Sequence, residues 1–213
     1  MPMLAIRNFD EVNNYVKNRR SVDFQEYFGD MDLPEKDKEK RIALAKKMEE
    51  CFLVVMAILF SVQQYDGTNY ELARTQFVYQ YRTAISGFVT LDEYMDNYIQ
   101  NISYQIIESV QNNPDDPFYV SPDRAKYLAE NEANTSLNHQ DFVDAIAAGK
   151  TRKKWVDIRD DRERPDHRKV GGTIKPITEP FLVGDSIMDY PKDTSYGASA
   201  NQIVNCRCTI KYI

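Results

Sequence analysis

The residues best equipped for chemistry gather in the last third of the chain. Cys206-Arg207-Cys208 sets two thiols two residues apart, and Asp160-Asp161-Arg162-Glu163-Arg164-Pro165-Asp166-His167 collects carboxylates, guanidiniums and one of the two histidines in a single loop. On an extended strand, side chains two residues apart point to the same side, so Cys206 and Cys208 would share a face with Arg207 opposite. Two such thiols supply half of a tetrahedral zinc site, which His167 and an acid such as Asp160 would complete. The gap between the thiols is shorter than the usual ligand spacing, however, and His167 lies 39 residues before Cys206. Two small buried side chains in a reduced chain is therefore the plainer reading, with a redox pair as a third. A disulfide between such close neighbours would need strained geometry.

Imidazole beside arginine is also equipment for cleaving a nucleic-acid backbone, the ring moving a proton and the guanidinium meeting the developing charge. A nuclease-like or toxin-like module would use His167 with Arg162 or Arg164. One histidine in a charged loop is thin support, and no nucleophile elbow, P-loop or paired-histidine zinc motif occurs in the chain. Residues 152–169 hold 8 basic and 5 acidic side chains among 18. A solvated face explains such a run, and the alternative is a nucleic-acid contact without chemistry through Arg152, Lys153 and Lys154. His139, in Asn138-His139-Gln140-Asp141, reads as a surface residue at a helix start.

Two kinds of element must position these groups. Leu33-Pro34-Glu35-Lys36 starts a helix that nothing interrupts until about Gln64, proline being tolerated in the first turn. Its second half is apolar on every face and must be wrapped by other helices or by a partner chain. An earlier short helix is expected from Asp10 to Tyr27. Tyr65-Asp66-Gly67-Thr68-Asn69 is a stop followed by a cap, after which Tyr70, Ala73, Phe77, Tyr81, Ala84, Ile85 and Phe88 recur at helical spacing. Gly87 closes that helix. Thr90-Leu91-Asp92-Glu93 has the form of a capping box, and Leu91, Met95, Tyr98, Ile99, Ile102 and Ile106 make the next apolar stripe.

Asn112-Asn113-Pro114-Asp115-Asp116-Pro117 is the clearest linker. Beyond it, Ser121-Pro122 caps a helix to about Asn134, and Asn138 caps another that ends at Gly149. The texture then changes to strands. Lys153 to Arg159 alternates, Thr173 to Ile177, Phe181 to Val183 and Ile187 to Tyr190 lie between Gly and Pro turns, and Ile203 to Ile213 closes the sheet. The expectation is an α+β chain: an N-terminal helical region, then a small module of helices and a mainly antiparallel sheet. Its parts are an arm over 1–35, a helical assembly region over 36–120 and the module over 121–213.

Composition sets the outer bounds. The 213 residues carry a formal charge of −6, with 42% hydrophobic and 28% charged side chains, enough apolar material for a buried core. Charge is unevenly placed. Residues 1–149 carry 14 basic and 24 acidic side chains, and residues 150–213 carry 13 and 9, a net +4 that hints at a different neighbour. Three cysteines exclude a disulfide framework. The longest apolar run, Cys51 to Val62, is 12 residues against the roughly 20 that a bilayer needs, so no membrane association is expected. Met1-Pro2-Met3-Leu4-Ala5-Ile6 gives way at once to Arg7, Asp10 and Glu11, so no targeting signal is expected either.

Read in order, the second half carries a recognisable series. It runs through Glu132-Ala133-Asn134, Gly149-Lys150-Thr151, Lys154-Trp155, Asp160-Asp161-Arg162, Arg164-Pro165-Asp166-His167, Gly171-Gly172, Phe181, Tyr190-Pro191 and Asn205-Cys206-Arg207-Cys208. This series, over roughly 125–213, resembles the phage Mu protein F-like family, the minor head or head-morphogenesis proteins of tailed bacteriophages and prophages. The resemblance implies a virion protein present in few copies, made in the host cytoplasm and working in head assembly. It also implies contact with the portal or major capsid protein and with packaged DNA, and the apolar helix adds self-association into a homo-oligomer as an expectation. Some relatives carry a toxin or ADP-ribosyltransferase domain after this module. Here 5 residues follow Cys208, so an effector enzyme is not expected. The resemblance transfers no catalytic residue and no cofactor. Zinc is suggested only by the donor set itself.

Overall fold

The structure is a computed structural model and describes residues 23–66 and 69–213. The helix expected from Asp10 to Tyr27 lies mostly outside them, as do Gly67 and Thr68 of the expected stop. Of that region, one helical turn remains, α1 at Gln25–Phe28. The long helix is present as α2, Glu35–Ser61, and continues as a π-helical turn over Val62–Asp66. Then come α3 (Tyr70–Ile85), α4 (Glu93–Gln111), a 3-10 turn (Pro117–Val120) and α5 (Pro122–Ala147). The remainder alternates short strands and turns of helix: β1 (Arg152–Val156), α6 (Pro165–Val170), β2 (Ile174–Pro176), β3 (Phe181–Val183), β4 (Ser186–Met188), α7 (Ala200–Ile203) and β5 (Thr209–Tyr212). The class is α+β, as the patterning implies. Among the described residues no helix is long and apolar enough to cross a membrane.

The chain divides into two compact units. The first comprises residues 44–86 and 91–129, all helical apart from connections. Its core is built from Phe52, Val55, Met56 and Leu59 of α2, Phe77, Tyr81 and Ile85 of α3, and Met95, Ile99 and Ile106 of α4. Phe52 stacks on Phe77 with ring centroids 5.1 Å apart, so the apolar half of α2 finds its cover within this unit. Arg82 ties α3 to α4 through Asp96 at 2.5 Å. The cap of α4 differs from the expected box. Asp92, not Thr90, is the N-cap, accepting from the Met95 amide at 2.8 Å, and Leu91 stands before the helix, exposed. An aspartate at that position serves the first turn as well as a threonine two residues earlier would.

The second unit comprises residues 24–43, 87–90 and 130–213. Its sheet has the order β2-β1-β5, antiparallel throughout, with Trp155 opposite Ile210 and Lys153 opposite Lys175, and β3 and β4 form a separate hairpin. The core is Trp155, Phe181, Val183, Met188, Cys206 and Cys208. Two sequence expectations are corrected here. The helix expected to stop near Asn134 and restart at Asn138 is one uninterrupted α5, and the last strand begins at Thr209 rather than Ile203. Both errors have one cause. Eight of the ten residues from Asn131 to Gln140 are polar yet buried, and the carboxamides of Asn134 and Asn138 bond to backbone far along the chain. Asn134 Nδ2 donates to the Cys206 carbonyl at 3.0 Å, and Asn138 Nδ2 donates to the carbonyls of Pro191 at 3.1 Å and Cys208 at 3.2 Å. Helix amides thus satisfy carbonyls that a neighbouring strand would otherwise take, and residues 206–208 run outside the ladder.

Lys192 belongs to this polar seam. Its ammonium is buried and donates to the Asn131 carbonyl at 3.0 Å and to Asn131 Oδ1. Burial pulls its pKa down to about 8, against the attraction of Glu132. A depressed lysine penalises the folded state wherever the unfolded chain still holds the proton. Stability carried by this group is therefore lowest below about pH 8 and recovers toward pH 10.5. Relative to Lys192→Met, the parent should gain roughly 3 kcal/mol between those two pH values, read from paired urea titrations. A difference that stays flat across the window would show that the ammonium is not desolvated.

Candidate functional site

His167 sits on the short helix α6, opened by Pro165 in its first turn and closed where the Gly171 amide donates to the His167 carbonyl at 2.9 Å. Cys206 follows α7 after Asn205, whose φ of 56° turns the chain, and Cys208 stands immediately before β5. These placements converge. His167 Nδ1 is 3.4 Å from Cys206 Sγ and 3.4 Å from Cys208 Sγ, and the three potential ligand atoms all lie within 4.8 Å of one another. All three side chains are buried, and Trp155 sets its ring against the imidazole at 5.8 Å, nearly perpendicular.

The other ring nitrogen is equally constrained. Gln202 Nε2 donates to Asp166 Oδ2 at 3.2 Å, which turns Gln202 Oε1 toward His167 Nε2 at 3.0 Å. An acceptor at that position places a proton on Nε2. Gly184 lets this arrangement close. Its φ is +60°, and a Cβ there would meet Gln202 Nε2 at 2.5 Å and Asp166 Oδ2 at 2.6 Å.

Electrostatics split the two thiols. Burial alone would raise Cys206, but hydrogen bonds from Cys208 and His167 hold it well below its ordinary value. Cys208 goes the opposite way, well above its ordinary value, because it donates to Cys206 and is itself buried. His167 is raised: burial opposes its charge, and the neighbouring Cys206 outweighs that. The result is two thiols of opposite tendency beside an imidazole in a buried cluster, a donor set able to hold a divalent metal.

The remaining residues singled out in the sequence lie elsewhere. The Asp160 carboxylate is engaged by Arg207 and by the Arg162 amide at 3.0 Å, and does not join the sulfur cluster. Burial opposes its charge, yet the Arg207 guanidinium beside it keeps its pKa lowered. This pair ties the loop to the stretch between the cysteines, and both residues line the same small cleft as His167, Cys206 and Cys208. Arg164 donates to the Val204 carbonyl. Lys153 is fully buried, paired with Asp189 at 2.9 Å, whereas Arg152 is exposed and Lys154 half-buried, so the three do not form one exposed basic strip. The alternation of β1 carries the signal for this, since Lys153 falls on the face of Trp155. His139, read as a surface residue, is buried, with Nδ1 2.9 Å from the Tyr190 hydroxyl. His167 has both nitrogens engaged inside the fold, which lends no support to its use as a proton carrier on a nucleic acid.

Sequence reading missed the carboxamide row of α5, namely Asn131, Asn134 and Asn138. The available signal was its density of amides in a stretch lacking Gly and Pro.

Comparison with known proteins places this geometry. The family model described as Phage Mu protein F like protein matches residues 91–211, from just before α4 into β5, and so includes α5, His167 and both cysteines. No curated protein and no solved structure matches the chain. With more than half of its residues inside that match, the chain belongs to the phage Mu protein F-like family of bacteriophage head-morphogenesis proteins.

Proposed function

We propose that the protein acts as a minor structural component of a tailed-phage head, contacting the portal or major capsid protein and lying close to the packaged genome. The observation that carries this reading is the family match, which spans α4 to β5 and takes in the whole interlocked seam of α5 with the C-terminal stretch. In this reading residues 36–120 form the assembly region and residues 121–213 the module that faces the interior of the head. The net +4 of residues 150–213 fits a phosphate-rich neighbour, although so small a surplus gives only a weak, salt-sensitive contact.

The test is genetic and compositional. Purified virions of the phage or prophage that encodes the chain should contain it in far fewer copies than the major capsid protein. Disrupting the gene should leave aberrant or non-infectious heads in electron micrographs, and the tagged protein should co-purify with the portal or the capsid from assembling cells. Normal, infectious particles that lack the protein would overturn the reading.

A further inference from the structure

We propose that His167, Cys206 and Cys208 bind one Zn2+ ion, and that the carboxylate of Glu163, which stands outside their 4.8 Å cluster in the metal-free protein, turns in as its fourth ligand. The proposal goes beyond the assembly reading and does not depend on it.

Three observations carry it. The first is spacing. Zn–S bonds of about 2.3 Å and Zn–N bonds of about 2.0–2.1 Å meeting at tetrahedral angles require sulfur–nitrogen edges of about 3.6 Å. Both edges from His167 Nδ1 are 3.4 Å. The second is the tautomer. Gln202, oriented by Asp166, holds a proton on Nε2, so a metal ion that displaces the proton on Nδ1 meets a lone pair aimed at the space shared with both sulfurs. Zinc-bound histidines are held in the same way by an acceptor on the remote nitrogen.

The third is an unsatisfied acid. Glu163 lines the same small cleft as His167, Cys206 and Cys208, and its side chain is 3% exposed. Its Oε2 accepts from Arg168 Nε at 3.0 Å, while Oε1 is buried with no hydrogen-bond partner. A bare buried carboxylate oxygen is costly, and a cation in the cleft removes that cost. Two thiolates and a carboxylate around Zn2+ leave one negative charge. Arg207 lines the cleft as well, with Nη1 buried and without a partner, so a guanidinium shared with Asp160 stands beside that charge. Thiolate and imidazole donors at near-tetrahedral spacing favour zinc over harder cations. Binding releases the thiol protons and leaves His167 neutral.

The experiment uses the reduced, full-length chain. As purified from zinc-supplemented cells it should carry close to one zinc per chain by elemental analysis. After stripping, titration with Co2+ should give a thiolate-to-cobalt charge-transfer band and the strong visible bands of tetrahedral cobalt, saturating at one equivalent. Cys51→Ser, which removes the third cysteine, should leave these unchanged. Cys208→Ser should lose about half of the charge-transfer intensity, reflecting one thiolate in place of two. Glu163→Gln should keep that intensity, shift the visible bands and weaken affinity about 10- to 100-fold. Absence of stoichiometric zinc together with no charge-transfer band in the parent chain would overturn the site, and this arm needs no variant to fold. A Glu163→Gln protein with unchanged visible bands and affinity would overturn the assignment of the fourth ligand.

Discussion

Trp155→Ala should cost the second unit about 3–5 kcal/mol, the range for emptying a large aromatic site in a packed core. Trp155 is wholly buried at the centre of the cluster formed with Phe181, Val183, Met188, Cys206 and Cys208. Its ring meets Phe181 edge-on at 5.3 Å and His167 at 5.8 Å, so one side chain holds the β3–β4 hairpin, α6 and the cysteine stretch together. The surrounding pieces are short, two strands of three residues and a helix of six, and none has length enough to keep its position alone. The cavity therefore weakens every one of them. Because the chain has two units, a single global melting curve would blur the effect. Native-state hydrogen exchange on the amides of β1 and β5 isolates it. Protection there reduced by less than about 1 kcal/mol would mean that the core closes around the gap, contrary to the packing argument. Trp155→Phe should fall between the parent and alanine.

Arg41→Ala should cost about 3–5 kcal/mol by stranding buried polar partners, and its effect should reach the cysteines. Arg41 is 1% exposed on α2 and donates from Nε to Asn134 Oδ1 at 3.2 Å, from Nη2 to Asn138 Oδ1 at 3.0 Å and to Asp141 at 2.8 Å. Asp141 is partly exposed, so that ion pair contributes little, and the two carboxamide oxygens dominate the cost. The guanidinium also fixes which way the amides point. With Oδ1 turned to Arg41, each Nδ2 faces a cysteine carbonyl. Loss of Arg41 frees the amides to rotate and loosens residues 206–208. Fluorescence of Trp155, the chain's single tryptophan, reports unfolding of this unit alone. The denaturation midpoint should fall while Cys206 and Cys208 become faster to react with a thiol reagent. A lower midpoint with unchanged thiol reactivity would separate Arg41 from the site.

Periodicity carried the helices and most strands because their apolar residues meet neighbours at regular spacing, as Phe77 and Tyr81 do on α3 and Trp155 does on β1. It failed where polar residues are buried. Asn134 and Asn138 are good capping residues, and local chemistry alone reads them as a helix end. Only the fold supplies the carbonyls, some 70 residues away, that turn them into interior donors. Lys153 misled in the same way, since its charge suggests solvent while its register with Trp155 places it inside, against Asp189. Residue type alone brought His167 and the paired thiols forward as donors, since their spacing is not a usual ligand pattern. The bare oxygen of Glu163 was not legible, because nothing in a charged loop distinguishes the acid that ends up without a partner for it.

The carboxamides of α5 that grip the backbone of Cys206 and Cys208 have a kinetic consequence. They join positions 72 and 70 residues apart, and Arg41 reaches α5 across 93 and 97. Contacts of such separation form late, after most loop-closure entropy has been spent. Until then two reduced sulfurs travel on an unstructured tail, open to oxidation and to exchange with Cys51. Renaturation yield should therefore depend on reductant until the seam has closed and become indifferent to it afterwards.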